Sequence, residues 1–537
     1  MDAVFYELNV RAFYDSNDDG IGDLRGIAEK LDYIQQLGID CIWLLPINPS
    51  PLMDDGYDVA DYTAIHSDYG SLEDFDYLIQ EAHARGLRVI VDLVINHTSD
   101  QHPWFVESRS SRDNPKRDWY VWSDTEQRYG DTRIIFVDSQ VSNWTYDGQS
   151  GQYYWHRFYP CQPDLNFDNP EVHQAMLDAM RFWLNRGIDG FRVDAIPYLY
   201  EREGTNCENL PETHEFVKKM RRVMDEEYPE AIMLCEANQP PQDVLDYFGD
   251  GDECHMAFHF PVMPRIFMAL RSGDSAKIRE IMSETPVIPA NCQWCIFLRN
   301  HDELTLEMVS EEERQWMWDQ YAPLDEMRLN LGIRRRLAPL LDNDIEKIML
   351  ANRLLFSLPG VPIIYYGDEI GMGDNIDLPD RNGVRTPMQW DNSLNAGFST
   401  VAPEDLYAPP IDDPVFGYQR VNVISQQDDS GALLNQIRDL IALRKQHPVF
   451  ALGTLTFIET GSPSVLGFVR EYDHQTILVF HNLTRRLRRV EAYLSEYTSR
   501  QPCNLLNGAQ TLHPIGAAPY RLSMAPYQSL WLLLNGK

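Results

Sequence analysis

The strongest constraint on this chain is a repeated order: a capped amphipathic helix, a glycine, then an apolar strand. SLEDFDYLIQEAHARGLRVIVDLVINH shows the whole unit. Ser71 and Asp74 have capping-box spacing, and Phe75, Leu78, Ile79 and Ala82 share one helical stripe. Gly86 is placed to end the helix, and a strand begins near Arg88. In NPEVHQAMLDAMRFWLNRGIDGFRVDAI, Asn169 is the cap, Pro170 the first helical residue and Gly187 the stop before a strand ending near Ile196. DLRGIAEKLDYIQQLGIDCIWLLPI and NDIEKIMLANRLLFSLPGVPIIYYGDEI repeat the order. Further strands are expected at Val4 to Phe13, Ile232 to Ala237, Cys254 to Phe260 and Gln293 to Arg299. This alternation favours parallel βα units, and eight strands fit a (β/α)8 TIM barrel better than an open sheet.

Two stretches depart from the rhythm. Residues 98–165 are rich in aromatics, including Trp104, Trp119, Trp122, Trp144, Tyr153, Tyr154 and Trp155, and read as an insertion after the third strand. The tryptophans are assigned to packing, because each ring buries a large apolar area. Beyond about Ala451, TLTFIE, SVLGFVREY, TILVFHNL and QSLWLLL read as strands of an antiparallel β-sandwich. The expected α/β architecture is thus a barrel over 1–97 and 166–450, an inserted subdomain over 98–165, and a C-terminal sandwich over 451–537.

Composition narrows the partners. The 82 acidic residues against 46 basic ones give a net charge of -36, which opposes nucleic acid and anionic membranes. No run of eighteen apolar residues occurs, and Met1 leads straight into DAVFYELNVRAF, so a cytoplasmic location is expected. The eight cysteines are scattered through a long chain, as buried thiols rather than a disulfide framework.

Barrel chemistry gathers where strands end, so polar residues closing apolar strands mark the candidate site. They are Asp92, Asn96 and His97; Arg192 and Asp194; Glu236; and Arg299 to Glu303. Period two puts Arg192 and Asp194 on one face. Taken singly, such residues often cap helices or satisfy buried backbone groups; Arg192, Asp194, Glu236 and Asp302 taken together point to catalysis. Separately, D-x-N-x-D-G-x-G-D presents hard oxygens from Asp15, Asn17, Asp19, Ile21 and Asp23 around a glycine turn, as a calcium loop requires.

DLVINH, GFRVDAI, LCEAN and FLRNHDE resemble the four ordered signature regions of the alpha-amylase family of glycoside hydrolases and transglycosylases. QPDLN and GVPIIYYGDEIG resemble two more. The resemblance implies that Asp194 is the nucleophile, Glu236 the general acid and base, and Asp302 a stabiliser of the transition state. It also implies that Arg192 pairs with Asp194, that His97 and His301 bind hydroxyls of the first glucose, and that Asp58 and Arg385 close over its nonreducing end beside Tyr62. A second calcium site would use Asn96, Asp164 and Glu201 with the carbonyls of Tyr198 and Leu199. Calcium would be structural, and no organic cofactor is implied.

Longer blocks, among them NPSPLMDDGYDVADYT and HRFYPCQPDLNFDNPEV, resemble the member group that isomerises maltose to trehalose. That implies maltose and trehalose as ligands, a covalent β-glucosyl intermediate and glucose only as a leak product. The insertion and the segment from Glu311 to Arg336 would form a lid against water. No fused maltokinase domain follows, so a maltokinase partner stays open, as does a homo-oligomer. The rivals are a hydrolytic α-glucosidase or amylase and a sugar-binding scaffold without chemistry.

Overall fold

In the computed structural model, which describes residues 2–535, eight parallel strands close into a barrel. They are β1 (Phe5–Leu8), β2 (Cys41–Leu44), β3 (Arg88–Val94), β4 (Gly190–Asp194), β5 (Ile232–Cys235), β6 (Met256–Phe258), β7 (Gln293–Phe297) and β8 (Val361–Tyr365). β8 pairs with β1 to complete the ring. The chain is therefore a (β/α)8 barrel.

The local signals act as their chemistry requires. Ser71 and Asp74 form a reciprocal capping box on helix Leu72–Ala84, Asn169 caps helix Pro170–Leu184, and Asp344 caps helix Ile345–Ser357. Gly38, Gly86 and Gly187 turn the chain at φ of 95°, 75° and 93°, a region closed to most side chains. At the start of β4, a Cβ on Gly190 would lie 2.1 Å from the Ile232 carbonyl oxygen, so only glycine lets β4 meet β5 there.

Four strand expectations overrun, among them that for β5, which ends at Cys235 rather than Ala237. β1 stops at Leu8 because the Asn9 side chain accepts the Arg11 N–H and starts a short helix, Val10–Phe13. β6 and β7 end at Phe258 and Phe297. The helix expected before Gly38 divides at Lys30 into Leu24–Glu29 and Leu31–Leu37.

The insertion leaves after β3 with helix Pro103–Ser110 and a three-stranded sheet ordered Trp122–Ser123, Gln152–Trp155, Trp144–Asp147. Trp144 and Trp155 pack with Val121, Tyr129 and Cys207 in its own small core. A second excursion follows β7: helix Glu311–Tyr321 and a small sheet of Leu304–Thr305, Gly332–Ile333 and Arg328–Leu329. At the C-terminal end, a six-stranded antiparallel sheet faces the pair Arg488–Ala492 and Tyr520–Met524 across a core that includes Leu478, Phe480, Val490 and Leu532. All eight cysteines are free thiols. Among the described residues, no helix is long and apolar enough to cross a membrane.

Candidate active site

Strand register builds the site. β3 and β4 align so that Asp92 lies opposite Arg192 and Val94 opposite Asp194. The fully buried Arg192 guanidinium donates from Nη1 to Asp92 Oδ1 at 2.6 Å and to Asp194 Oδ1 at 2.5 Å, and its Nη2 pairs with Glu236 Oε1. Arg192 therefore holds both central carboxyls. Glu236 also accepts the Ala195 N–H at 3.2 Å.

One cation among three buried carboxyls does not hold all of them ionised. Burial pushes Asp194 up to about 6, against the pull of Arg192. Burial pushes Glu236 further, to about 8; Arg192 opposes the rise, and Asp194 and Asp302 add to it. Near pH 7 the pair is thus split into a carboxylate and a carboxylic acid, which is how neighbouring acids take different roles. Asp302 is the opposite case. Burial raises it, but His301, Arg381, Arg385 and Arg192 together bring it well below the usual carboxylate range.

These groups open into a pocket with about 840 Å³ of empty space, part of it solvent-facing. Asp194, Glu236, Asp302 and His97 line it, with Tyr57, Asn238, Phe260 and Asn300. Burial lowers His97 to about 3, so its imidazole is neutral. His301 sits behind the wall, stacked on Tyr57 and with Nε2 3.2 Å from Asp302 Oδ2.

The pair expected at Asp58 and Arg385 is not at the pocket wall. Asp58 accepts Ser50 Oγ at 2.7 Å and the N–H groups of Met53 and Asp54 at 3.0 and 3.2 Å, which shapes the loop carrying Asp54. Arg385 lies behind, pairing with Asp55 at 2.9 Å and Asp302 at 3.0 Å. The lining residues are Asp54 and Arg381, with Arg381 Nη1 3.6 Å from Asp54 Oδ1 and Nε 2.9 Å from Asp302 Oδ1. Gln162 donates to the other Asp54 oxygen at 2.9 Å. Tyr62 is also displaced: its hydroxyl donates to the carbonyls of Val94 and His97, closing the end of β3, and Tyr57 takes the place at the pocket. DDGYD holds three aspartates within five residues, and irregular loop backbone gives no period to separate them.

The mouth is narrowed by Ile135, Phe136 and Phe158 from the insertion, facing Thr305 and Glu307 after β7. Arg133 spans the gap, with Nη1 2.9 Å from Glu307 Oε2 and Nε 2.8 Å from Glu208 Oε1. The Asn330 N–H donates to Asp138 Oδ2 at 2.6 Å, a second tie. No tryptophan and no residue from Glu311 to Arg336 lines the pocket. That segment instead backs the mouth from behind: Gly332 pairs with Thr305, the Asn330 side chain donates to Glu303 Oε1 at 3.4 Å, and Arg336 is fully buried and donates to the Tyr366 carbonyl.

The two calcium expectations fall on different geometry. Asp15 Oδ1 accepts the N–H groups of Asn17, Asp18 and Asp19, Oδ2 accepts Gly20 N–H and Ser399 Oγ–H, and Asp23 caps helix Leu24–Glu29. These carboxylates are already well used, although Asp15, Asp18, Asp19 and Asp23 have no cationic side-chain partner among the described residues. At the second place, Asn96 Oδ1 and Asp164 Oδ2 are buried without a partner. Burial pushes Asp164 to about 8, and burial with Asp164 nearby pushes Glu201 well above the carboxylate range. Hard oxygens left unsatisfied beside two acids suit a divalent cation. Among the described residues, no group of three or more His, Cys, Asp or Glu side chains is arranged to hold a metal, so an ion here would also draw on amide and carbonyl oxygens.

Residues 8–453 match the alpha amylase catalytic domain, and residues 455–531 match the maltogenic amylase C-terminal domain. A trehalose synthase/amylase (TreS) of Mycobacterium tuberculosis is 56% identical over 99% of this chain and 90% of its own length. A trehalose synthase of Pimelobacter is 55% identical over 99% and 95%. The crystal structure of XgtA, an alpha-glucosyl transfer enzyme, superposes with a TM-score of 0.80 at 31% identity, over 99% of both chains.

Activity toward an α-glucoside should follow a bell-shaped profile. It rises as Asp194 loses its proton near 6 and falls as Glu236 loses its own near 8. Asp194→Asn should lower kcat at least about 10³-fold with the melting temperature retained; full activity in that variant would contradict the assignment.

Proposed function

The chain belongs to the alpha-amylase family, and within it we propose an intramolecular glucosyl transfer that converts maltose, α-1,4 linked, to trehalose, α,α-1,1 linked. The observation that carries this reading is the split carboxyl pair on Arg192, set beneath a mouth tied shut from two sides. The names of the relatives that are more than half identical support the choice of sugars.

Glu236, protonated at neutral pH, gives its proton to the bridging oxygen. Asp194 attacks the anomeric carbon from the opposite face and forms a β-glucosyl ester as glucose leaves. The contact of both acids with the one Arg192 guanidinium supports retention, because an inverting pair stands about 6.5–9.5 Å apart to admit a water. Asp302, kept ionised by three arginines, holds sugar hydroxyls as the ring flattens. Released glucose turns and attacks with its anomeric hydroxyl, while Glu236, now a carboxylate, takes that proton. Two inversions return the α configuration at the transferred glucose.

Water competes for the same ester. The Arg133 ties to Glu307, in the β7 excursion, and to Glu208, in the loop after β4, keep the insertion against the barrel's loops and hold the leaving glucose near the ester. Glucose is then a minor product. The rival hydrolase would use the same residues with a more open mouth.

A structural calcium is part of this proposal. Asn96, Asp164 and Glu201, with the Tyr198 and Leu199 carbonyls, would hold it, and the ion would neutralise buried acids while fastening the insertion to the barrel.

Incubated with maltose, the protein should form trehalose in excess over glucose, and Arg133→Ala should raise the glucose share several-fold; two glucose per maltose from the parent would favour the hydrolase. A chelator should lower the melting temperature by several degrees, with calcium restoring it in the parent and not in Asp164→Asn.

A further inference from the structure

Glu7, on β1, is fully buried inside the barrel, with Trp43 and Tyr365 as its register partners on β2 and β8. Its Oε1 accepts the His301 backbone N–H at 3.1 Å and lies 2.5 Å from His301 Nδ1. Its Oε2 has no partner, and no Lys or Arg pairs with it among the described residues. On the far side of the ring, His301 Nε2 is 3.2 Å from Asp302 Oδ2 and 2.8 Å from the Tyr57 hydroxyl. Glu7, His301 and Asp302 thus form a row of carboxyl, imidazole and carboxylate that runs from the buried barrel interior to the pocket.

Counting hydrogens fixes what this row needs. The contact between Oε1 and Nδ1 requires one hydrogen between two acceptors. Asp302 is ionised, so an Nε2 without hydrogen would face it lone pair to lone pair; that contact requires a second hydrogen. An imidazole and a carboxyl sharing these two hydrogens are neutral overall, which suits a dry barrel interior with one carboxyl oxygen left unpaired. Burial raises Glu7 and lowers His301, the directions that place a shared proton between them.

We propose that Glu7 is a positioning residue: it shares a proton with His301 Nδ1 and so keeps a hydrogen on Nε2, directed at Asp302 and at sugar hydroxyls held there. The inference rests on the glucosyl-transfer reading of the pocket. It concerns the first step, common to isomerisation and hydrolysis, and is independent of which acceptor follows. The hydrogen that one ring nitrogen carries is set by the partner of the other, and Glu7 is that partner.

Glu7→Gln separates this role from packing. The amide oxygen can still accept both His301 N–H groups, so the shape is kept, but the side chain brings no shared proton and a neutral imidazole is left with a bare Nε2. Release of nitrophenol from p-nitrophenyl α-glucoside should lose roughly 10- to 100-fold in kcat, with KM and the melting temperature little changed. In a His301→Asn background the same substitution should cost nothing further. In the parent labelled with nitrogen-15 histidine, His301 should carry hydrogen on Nε2, with Nδ1 in a hydrogen bond to Glu7. A Glu7→Gln variant within about twofold of the parent, an equal loss without His301, or a bare Nε2 in the parent overturns the inference while leaving the glucosyl-transfer reading intact. A parent that releases no nitrophenol overturns that reading and the inference with it.

Discussion

The buried guanidinium of Arg192 is the interaction on which the rest of the molecule depends. It is the only cation in direct contact with Asp92, Asp194 and Glu236 among the described residues. Placing three acids around one positive charge in a dry interior would be costly if all were ionised. The charge shortage is resolved by leaving a proton on Glu236, and that proton is what a glycosidic oxygen needs. Asp302 lies a step away, where Arg381 and Arg385 reach it, and keeps full charge. In the proposed roles, the number of arginines each carboxyl touches sets the stabiliser apart, with two on Asp302, while Asp194 and Glu236 share one and are separated by the greater effect of burial on Glu236.

The barrel exists to hold that arrangement. Parallel strands in fixed register set Glu7 opposite Trp43 and Asp92 opposite Arg192, and the Trp43 indole donates to the remaining Asp92 oxygen at 2.9 Å. Helices capped by Ser71, Asn169 and Asp344 close the outside. The insertion and the β7 excursion then add what a bare barrel lacks, a roof. Phe136, Phe158 and Ile135 dry it, and Arg133 fastens it. In the proposed reading, chemistry and water exclusion come from different parts of the chain.

Regular structure was legible in the sequence because it is periodic. Caps, stripes and glycine stops announced the βα units, and period two put Arg192 and Asp194 on the same face before any coordinates. The four residues Arg192, Asp194, Glu236 and Asp302 are legible as a set: one polar residue closing an apolar strand has structural uses, but several strands closed in this way at one end of a barrel point to a site. Loop residues were not. Asp54 against Asp58, and Arg381 against Arg385, are choices between like side chains four positions apart, and only the turn of the loop decides between them. Tyr57 and Tyr62 were exchanged on the same ground. Glu7 is not legible, because a single acid in a buried strand has no pattern around it; its meaning comes entirely from His301, 294 residues away.

The covalent step is where this account is most exposed. A fluorinated α-glucosyl fluoride, which forms the ester readily and loses it slowly, should leave one sugar on the protein, and peptide mass spectrometry should place it on Asp194. An adduct on Glu236 or Asp302, or steady turnover of the reagent by an Asp194→Ala variant, would contradict it.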